Sequence, residues 1–210
     1  MTAHNKPVNF PHISTQYPLI LASASPRRRE LLTQIGLPFR SLTSDVNEKC
    51  VLDDPLLTSR VLAEKKACRV YSRIEASWVL GADTIVAIDG KMLGKPQDCQ
   101  DARRMLSLLS GREHRVITGF CLLNPSGTVA HSETVTTLVR IKELTEQEIE
   151  AYINTGEPNG KAGSYAIQGI GSFMVETISG SFTNVVGLPL CALTKALVSA
   201  EALKCFPLPT

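Results

Sequence analysis

Two short stretches carry residues whose types and spacing could do chemistry. Ser23-Ala24-Ser25-Pro26-Arg27-Arg28 follows the apolar run Pro18 to Ala22, and Asp83 stands inside the long apolar run Ser77 to Ile88. In the first, Ser25 is a preferred helix N-cap and Pro26 suits the first helical position, where no intrahelical hydrogen bond would be donated. The helix that starts there turns its open backbone N–H groups and the positive end of its dipole toward the loop. Ser23 and Ala24 allow close approach, and Arg27 and Arg28 can fork onto phosphate oxygens. Ser23, Ser25, Arg27 and Arg28 are therefore candidate contacts for an anion, best a polyphosphate.

A charged carboxylate in an apolar strand is costly unless it is paired, bound to a metal or open to a cleft. Lys95 is a candidate partner for Asp83 in a strand-end ion pair. The cleft is the favoured reading. Gly81 and Ala82 leave room for a ligand, Thr84 adds a hydroxyl, and an aspartate beside phosphate and metal is a natural general base for water. Glu48, in the polar stretch Ser44 to Asp54, could join Asp83 in holding a hard cation such as Mg²⁺ through oxygen ligands. Lys66 and Lys95 are candidate point charges for a phosphate tail, Lys95 the stronger because Gly94 and Pro96 fix the loop around it. His114 is a further candidate basic contact, Asn184 a candidate helper in the cleft, and Gln168, between Ile167 and Gly169, could read a donor and acceptor pair on a base edge.

The elements that must position these residues alternate. A helix from Ser25 ends at Gly36, Pro38 to Leu42 is a short strand, and Pro55 to Arg73 carries a helical apolar stripe. Ser77 to Ile88 reads as a buried strand, and Asp89-Gly90 turns it back through Lys91 to Leu93. A helix from Cys99 to Leu109 precedes two strands, Arg115 to Asn124 and Ser132 to Ile141, which form a hairpin around Pro125-Ser126-Gly127. Thr145 and Glu148 form a capping box for a helix to Asn154. Gly156 to Gly171 is glycine-rich, Ser181 to Leu190 is a strand or loop, and Leu188 to Leu203 closes the chain as a helix. The fold class expected is α/β, with a mixed sheet flanked by helices.

The 210 residues are enough for one substantial core or two lobes, and a net charge of +2 with scattered basic residues argues against a nucleic-acid surface. Six cysteines, at 50, 68, 99, 121, 191 and 205, show neither a CxxC pair nor a zinc spacing with the four histidines, which points to a reducing cytoplasmic compartment. No stretch approaches eighteen apolar residues, so no membrane span is expected. Residues 1–17 lack periodicity and read as a flexible extension ahead of a domain over 18–210.

Taken together, SASPRR at 23–28, Glu48, Lys66-Ala67, GADTIV at 81–86, GKP at 94–96, LSGREHRVITG at 109–119, KAGSYAIQG at 161–169 and NVVGLPL at 184–190 resemble the Maf family of nucleoside triphosphate pyrophosphatases. The resemblance implies an elongated mixed sheet with two lobes around a central cleft, as in Maf and ITPase-like proteins. It also implies hydrolysis between the α and β phosphorus atoms with a divalent metal (Mg²⁺, Mn²⁺ or Co²⁺). Asp83 matches the proton acceptor. Arg27, Thr84 and Gln168 match the positions tied to substrate choice, and Arg28, Lys66, Lys95 and Glu48 match the remaining polar positions, with Glu48 and Asp83 at the metal. The AIQG form resembles the branch acting on dTTP and UTP.

One departure from the family pattern is Gly160, where an Asp usually precedes Lys-Ala-Gly. It keeps a weakly catalytic, nucleotide-binding regulator of cell division as an alternative, beside a pyrophosphatase of 7-methyl-GTP. The nucleotide is the one partner expected, with no nucleic acid or membrane. A homodimer is the default assembly for an enzyme of this size.

Overall fold

The computed structural model describes residues 10–46, 52–74 and 76–209. In chain order the elements are β1 (Leu19–Ala22), α1 (Pro26–Gln34), β2 (Phe39–Ser41), α2 (Pro55–Tyr71), β3 (Val79–Ile88), β4 (Lys91–Leu93), α3 (Cys99–Leu109), β5 (Glu113–Leu123), β6 (Val129–Ile141), α4 (Glu146–Asn154), β7 (Val175–Ser179), α5 (Phe182–Val186) and α6 (Leu190–Ser199). The strands form one mixed sheet in the order β2-β1-β3-β5-β6-β7, with β4 also paired to β3. β1 runs parallel to β2 and β3, joined through the crossover helices α1 and α2 that parallel pairing requires, and the other pairs are antiparallel.

The sheet has a gap that makes the site. β1 pairs with β3 only as far as Gly81, opposite Ala22. β4 takes over the same edge of β3 at Val86, opposite Leu93. Between them Ala82, Asp83, Thr84 and Ile85 lie on a stretch of edge with no strand beside it among the described residues, and the chain divides there into two lobes. One core packs β1 and α1 residues such as Leu21 and Leu32 against Leu193 and Leu197 of α6. A second packs Leu106 and Leu109 of α3 against Ile149 and Ile153 of α4, and a third packs Ala63 and Ala67 of α2 against Ile20 of β1 and Val79 of β3. The two-lobed α/β architecture expected from the sequence is the one observed.

Three local features differ from the sequence reading. Part of the supposed flexible extension is packed: Trp78 donates its indole N–H to the Pro11 carbonyl at 2.9 Å, Phe10 stacks edge-on against the Trp78 ring, and Ile13 is buried. A buried indole needs an acceptor, and residues 10–13 provide it while covering the ring. Residues 1–9 of that extension lie outside the described residues. β7 and α5 were not anticipated as such. β7 is five residues long and packs on one side only, while α5 is a single capped turn, too short for periodicity to reveal. Among the described residues no helix is long and apolar enough to cross a membrane, and the cysteines are free thiols.

Candidate active site

The gap in the β3 edge opens into a cavity of about 1010 Å³. Ser23, Ser25, Arg27, Arg28, Lys66, Asp83, Thr84, Lys95 and Gln168, all singled out from sequence, line this one cavity. Glu48 lies outside the described residues, but Thr43 to Val46, just ahead of it, form part of the wall.

Asp83 is paired with Lys66, not Lys95. Lys66 Nζ lies 2.6 Å from Asp83 Oδ1, with the two side chains only 9% and 11% exposed. Local sequence explains the approach. Side chains two apart share a strand face, so Gly81 and Asp83 look the same way, and Gly119 of β5 pairs directly with Asp83. A Cβ on Gly81 would lie 2.0 Å from the Ala63 carbonyl oxygen, and one on Gly119 would lie 2.5 Å from that of Ser59. Helix α2 therefore rests on the bare backbone of both strands, which carries Lys66 to the carboxylate. The room that Gly81 leaves is taken by α2 and not by a ligand.

On the other face of β3, Thr84 bonds Thr118 at 3.0 Å and accepts from Arg28 Nη2 at 3.0 Å. Arg28 also donates from Nε to the Gly187 carbonyl at 2.7 Å and from Nη1 to Ser23 Oγ at 3.2 Å. It is 8% exposed. The guanidinium thus braces the β1–α1 loop to β3 and to the chain before α6, and what it adds for a bound phosphate is its buried positive charge. Helix α1 starts as the sequence indicates: Ser25 caps it, accepting from the Arg28 N–H, and Pro26 follows.

Beside Arg28 on the same helix, Arg27 is half-buried. Burial pulls its pKa below the usual arginine value, partly opposed by Glu30 and, from the facing lobe, by Tyr152 and Glu157. Lys95 stands exposed on the β4–α3 loop, which is tied to the glycine-rich segment by the Gly163 N–H bonded to the Gly94 carbonyl at 3.0 Å. Gly160 also lines the cavity, with φ +71 and no described residue within 4 Å of where a Cβ would stand.

A family model described as Maf-like protein matches residues 18–200. The chain belongs to the Maf-like family. It is 51% identical over 172 residues to the dTTP/UTP pyrophosphatase of Thermococcus onnurineus, covering 82% of this chain and 92% of that one. It is 47% identical over 191 residues to the dTTP/UTP pyrophosphatase of Syntrophotalea carbinolica, covering 90% of this chain and 87% of that one. A solved nucleoside-triphosphatase, a dITP/XTP pyrophosphatase from Mycobacterium abscessus, aligns at 17% identity with a TM-score of 0.40, covering 66% of this chain and 95% of that one.

Two expectations for this Maf-like site need correction. His114 is not a basic contact: it is 2% exposed, and burial pushes its pKa down to about 4, so the ring is neutral. Its Nε2 shares a 2.8 Å hydrogen bond with the Tyr165 hydroxyl, and its Nδ1 is buried without a partner among the described residues. Asn184 is wholly buried and does not line the cavity. Its amide donates to the Val116 carbonyl and to Thr137 Oγ1, fixing α5 to the sheet.

Sequence reasoning missed Glu157 and Tyr152. Tyr152 donates to Glu157 Oε2 at 2.8 Å, and Glu157 also accepts the N–H groups of Ile170 and Gly171. Burial alone would raise the pKa of Glu157, but these hydrogen bonds outweigh it and the carboxyl lies below its ordinary value. Burial, reinforced by the bond to Glu157, raises the Tyr152 phenol and keeps it a donor. Glu157-Pro158, at the start of the glycine-rich stretch that follows a capped helix, was the available signal.

Among the described residues no cluster of three or more His, Cys, Asp or Glu could hold a metal. A hard cation such as Mg²⁺ can be held by one or two carboxylates and completed by substrate phosphates and water. Asp83 fits such a role, since Lys66 bonds its Oδ1 and no described residue bonds its Oδ2.

Proposed function

We propose that this chain hydrolyses dTTP and UTP to the monophosphate and pyrophosphate. The observation that carries this is that the buried Lys66–Asp83 pair and a helix N-terminus with Arg27 and Arg28 line one cavity. A base for water and a positive wall for a polyphosphate thus share one space. Relatives 47% and 51% identical over most of the chain bear that activity in their names.

In this reading Asp83 accepts a proton from water as the water oxygen attacks the α-phosphorus, and the bond from that phosphorus to the α–β bridging oxygen breaks to release pyrophosphate. Lys66 orients the carboxylate. Arg28, Lys95 and the α1 N-terminus with Ser23 and Ser25 hold the phosphates, while Arg27, Thr84 and Gln168 meet the base and sugar. Asp83 and Glu48 would hold a divalent cation (Mg²⁺, Mn²⁺ or Co²⁺), whose charge would neutralise that developing on the phosphates. We assign the chain to the cytoplasm, which the free thiols favour, and to a homodimer, which light scattering on the purified protein tests.

The deciding experiment is pyrophosphate release from dTTP, UTP, CTP, GTP and 7-methyl-GTP with Mg²⁺ or Mn²⁺. Fastest release from dTTP and UTP is expected, and preference for 7-methyl-GTP would overturn the pyrimidine assignment. Tight dTTP binding without release would favour a nucleotide-binding regulator, the reading supported by Gly160 at the cavity rim.

A further inference from the structure

Gln168 is exposed to the cavity, yet the backbone that carries it is held from both sides by one polar relay. Tyr152, on α4, accepts the Ala166 N–H at 3.1 Å and donates its hydroxyl to Glu157 Oε2 at 2.8 Å. Glu157 then accepts the Ile170 N–H on Oε1 at 2.9 Å and the Gly171 N–H on Oε2 at 2.8 Å. The anchors therefore fall two residues before Gln168, and two and three residues after it.

Packing tightens the same arrangement. A Cβ at Gly169 would lie 1.8 Å from Glu157 Oε1, and one at Gly171 would lie 2.6 Å from the Tyr152 hydroxyl. The strand of chain bearing Gln168 is pressed against the relay with no side chain between. Glu157 itself lines the cavity, but its oxygens are committed to three donors, so it acts on this loop and not on a ligand. Its charge also reaches Arg27 from the facing lobe. A side chain that discriminates by hydrogen bonding must be held within a fraction of an ångström, and here the holding falls to its supports.

We propose that Glu157 and Tyr152 are positioning residues for base selection, acting through the backbone of 166–171 to set where the Gln168 amide meets the base. This rests on the reading of the chain as a dTTP/UTP pyrophosphatase with Gln168 at the base. Kinetics with dTTP, UTP and CTP on E157Q, Y152F, Q168A and the double variants test it. Gln at 157 turns an amide donor onto a backbone N–H, and Phe at 152 removes both an acceptor and a donor. Each should raise KM for dTTP and UTP about tenfold, the scale of one lost charge-assisted hydrogen bond, with kcat within about threefold. The dTTP over CTP preference should fall by a similar factor.

In the Q168A background neither change should lower that preference further. A loosened fold with no bearing on Gln168 would instead add its effect independently. Unchanged KM and preference in both variants, or additive losses with Q168A, overturn the proposal. If Q168A itself leaves selection intact, the base-reading role of Gln168 fails and the positioning role with it. If Q168A collapses selection while E157Q and Y152F do not, only the positioning role fails. Should the native protein release no pyrophosphate, the activity reading falls, and the same variants are judged on dTTP against CTP binding by calorimetry. Should E157Q not fold, Y152F carries the test alone.

Discussion

Lys66 Nζ and Asp83 Oδ1 lie 2.6 Å apart because helix α2 crosses β3 at Gly81, where there is no side chain to hold it off. The carboxylate is thus buried with its partner supplied from above, at the point where β1 has ended and β4 has not begun. Burial, charge pairing and access to the cavity follow from one crossing.

Asp83→Asn should keep the fold, since an amide oxygen can still accept from Lys66, and should lower turnover about 10²-fold or more, the usual contribution of a general base. Lys66→Met leaves a buried carboxylate without its partner and should cost about 3–5 kcal/mol. The double variant should recover much of that loss. Urea unfolding of the three variants, with turnover of dTTP, checks both statements. Full turnover in Asp83→Asn would remove the base from Asp83.

Gly81→Ala adds one methyl where the Ala63 carbonyl already lies, so α2 must lift off the sheet. Overpacking of this kind costs about 1–3 kcal/mol. Lys66 moves with the helix, so activity should fall more than stability alone accounts for at a temperature where the variant is fully folded. A folded Gly81→Ala protein with native kcat would show that the exact seat of α2 does not matter to the chemistry.

The sequence made the helix caps and the strand carrying Asp83 legible because each rests on neighbours in the chain: Ser25 before Pro26, Thr145 before Glu148, and the apolar run around Asp83. Which lysine pairs with Asp83 was not legible in that way. The sequence reading offers Lys95; the partner is Lys66, because two glycines on separate strands fix the height of a helix. Glu157 was hidden for a similar reason, since its partners at 152, 170 and 171 come together only when the glycine-rich loop folds back on α4. His114 misled because its type suggests charge, while its place beneath Tyr165 forbids it.

His114 makes stability depend on pH. Burial lowers its pKa from 6.5 to about 4. Between those values the unfolded chain binds a proton that the folded chain does not, so stability is complete above pH 6.5 and declines as the pH falls toward 4. At pH 5 the loss from this one residue should be about 2 kcal/mol. Urea midpoints at pH 7.5 and 5.0 should therefore differ more for the native protein than for His114→Gln, which has no proton to gain in that range. Equal differences in the two proteins would assign the titration elsewhere.

Gly160→Asp tests the position at which this chain departs from the family pattern. The site has φ +71, which Asp tolerates better than most residues, and a Cβ there meets nothing within 4 Å. The backbone cost should be about 1 kcal/mol, a fall of about 2–4 °C in Tm for a chain of this size. The new carboxylate stands on the cavity rim beside Lys161 and should raise dTTP turnover severalfold at limiting Mg²⁺ or Mn²⁺ if a negative group there supports the cation or steadies a lysine. Gly160→Asn is the control, because it bears the same backbone strain without charge. A gain in Asp that is absent in Asn identifies the charge as the cause. No gain in either means that this chain reaches its native rate without a carboxylate at 160, and the case for a weakly catalytic regulator loses the feature on which it stands.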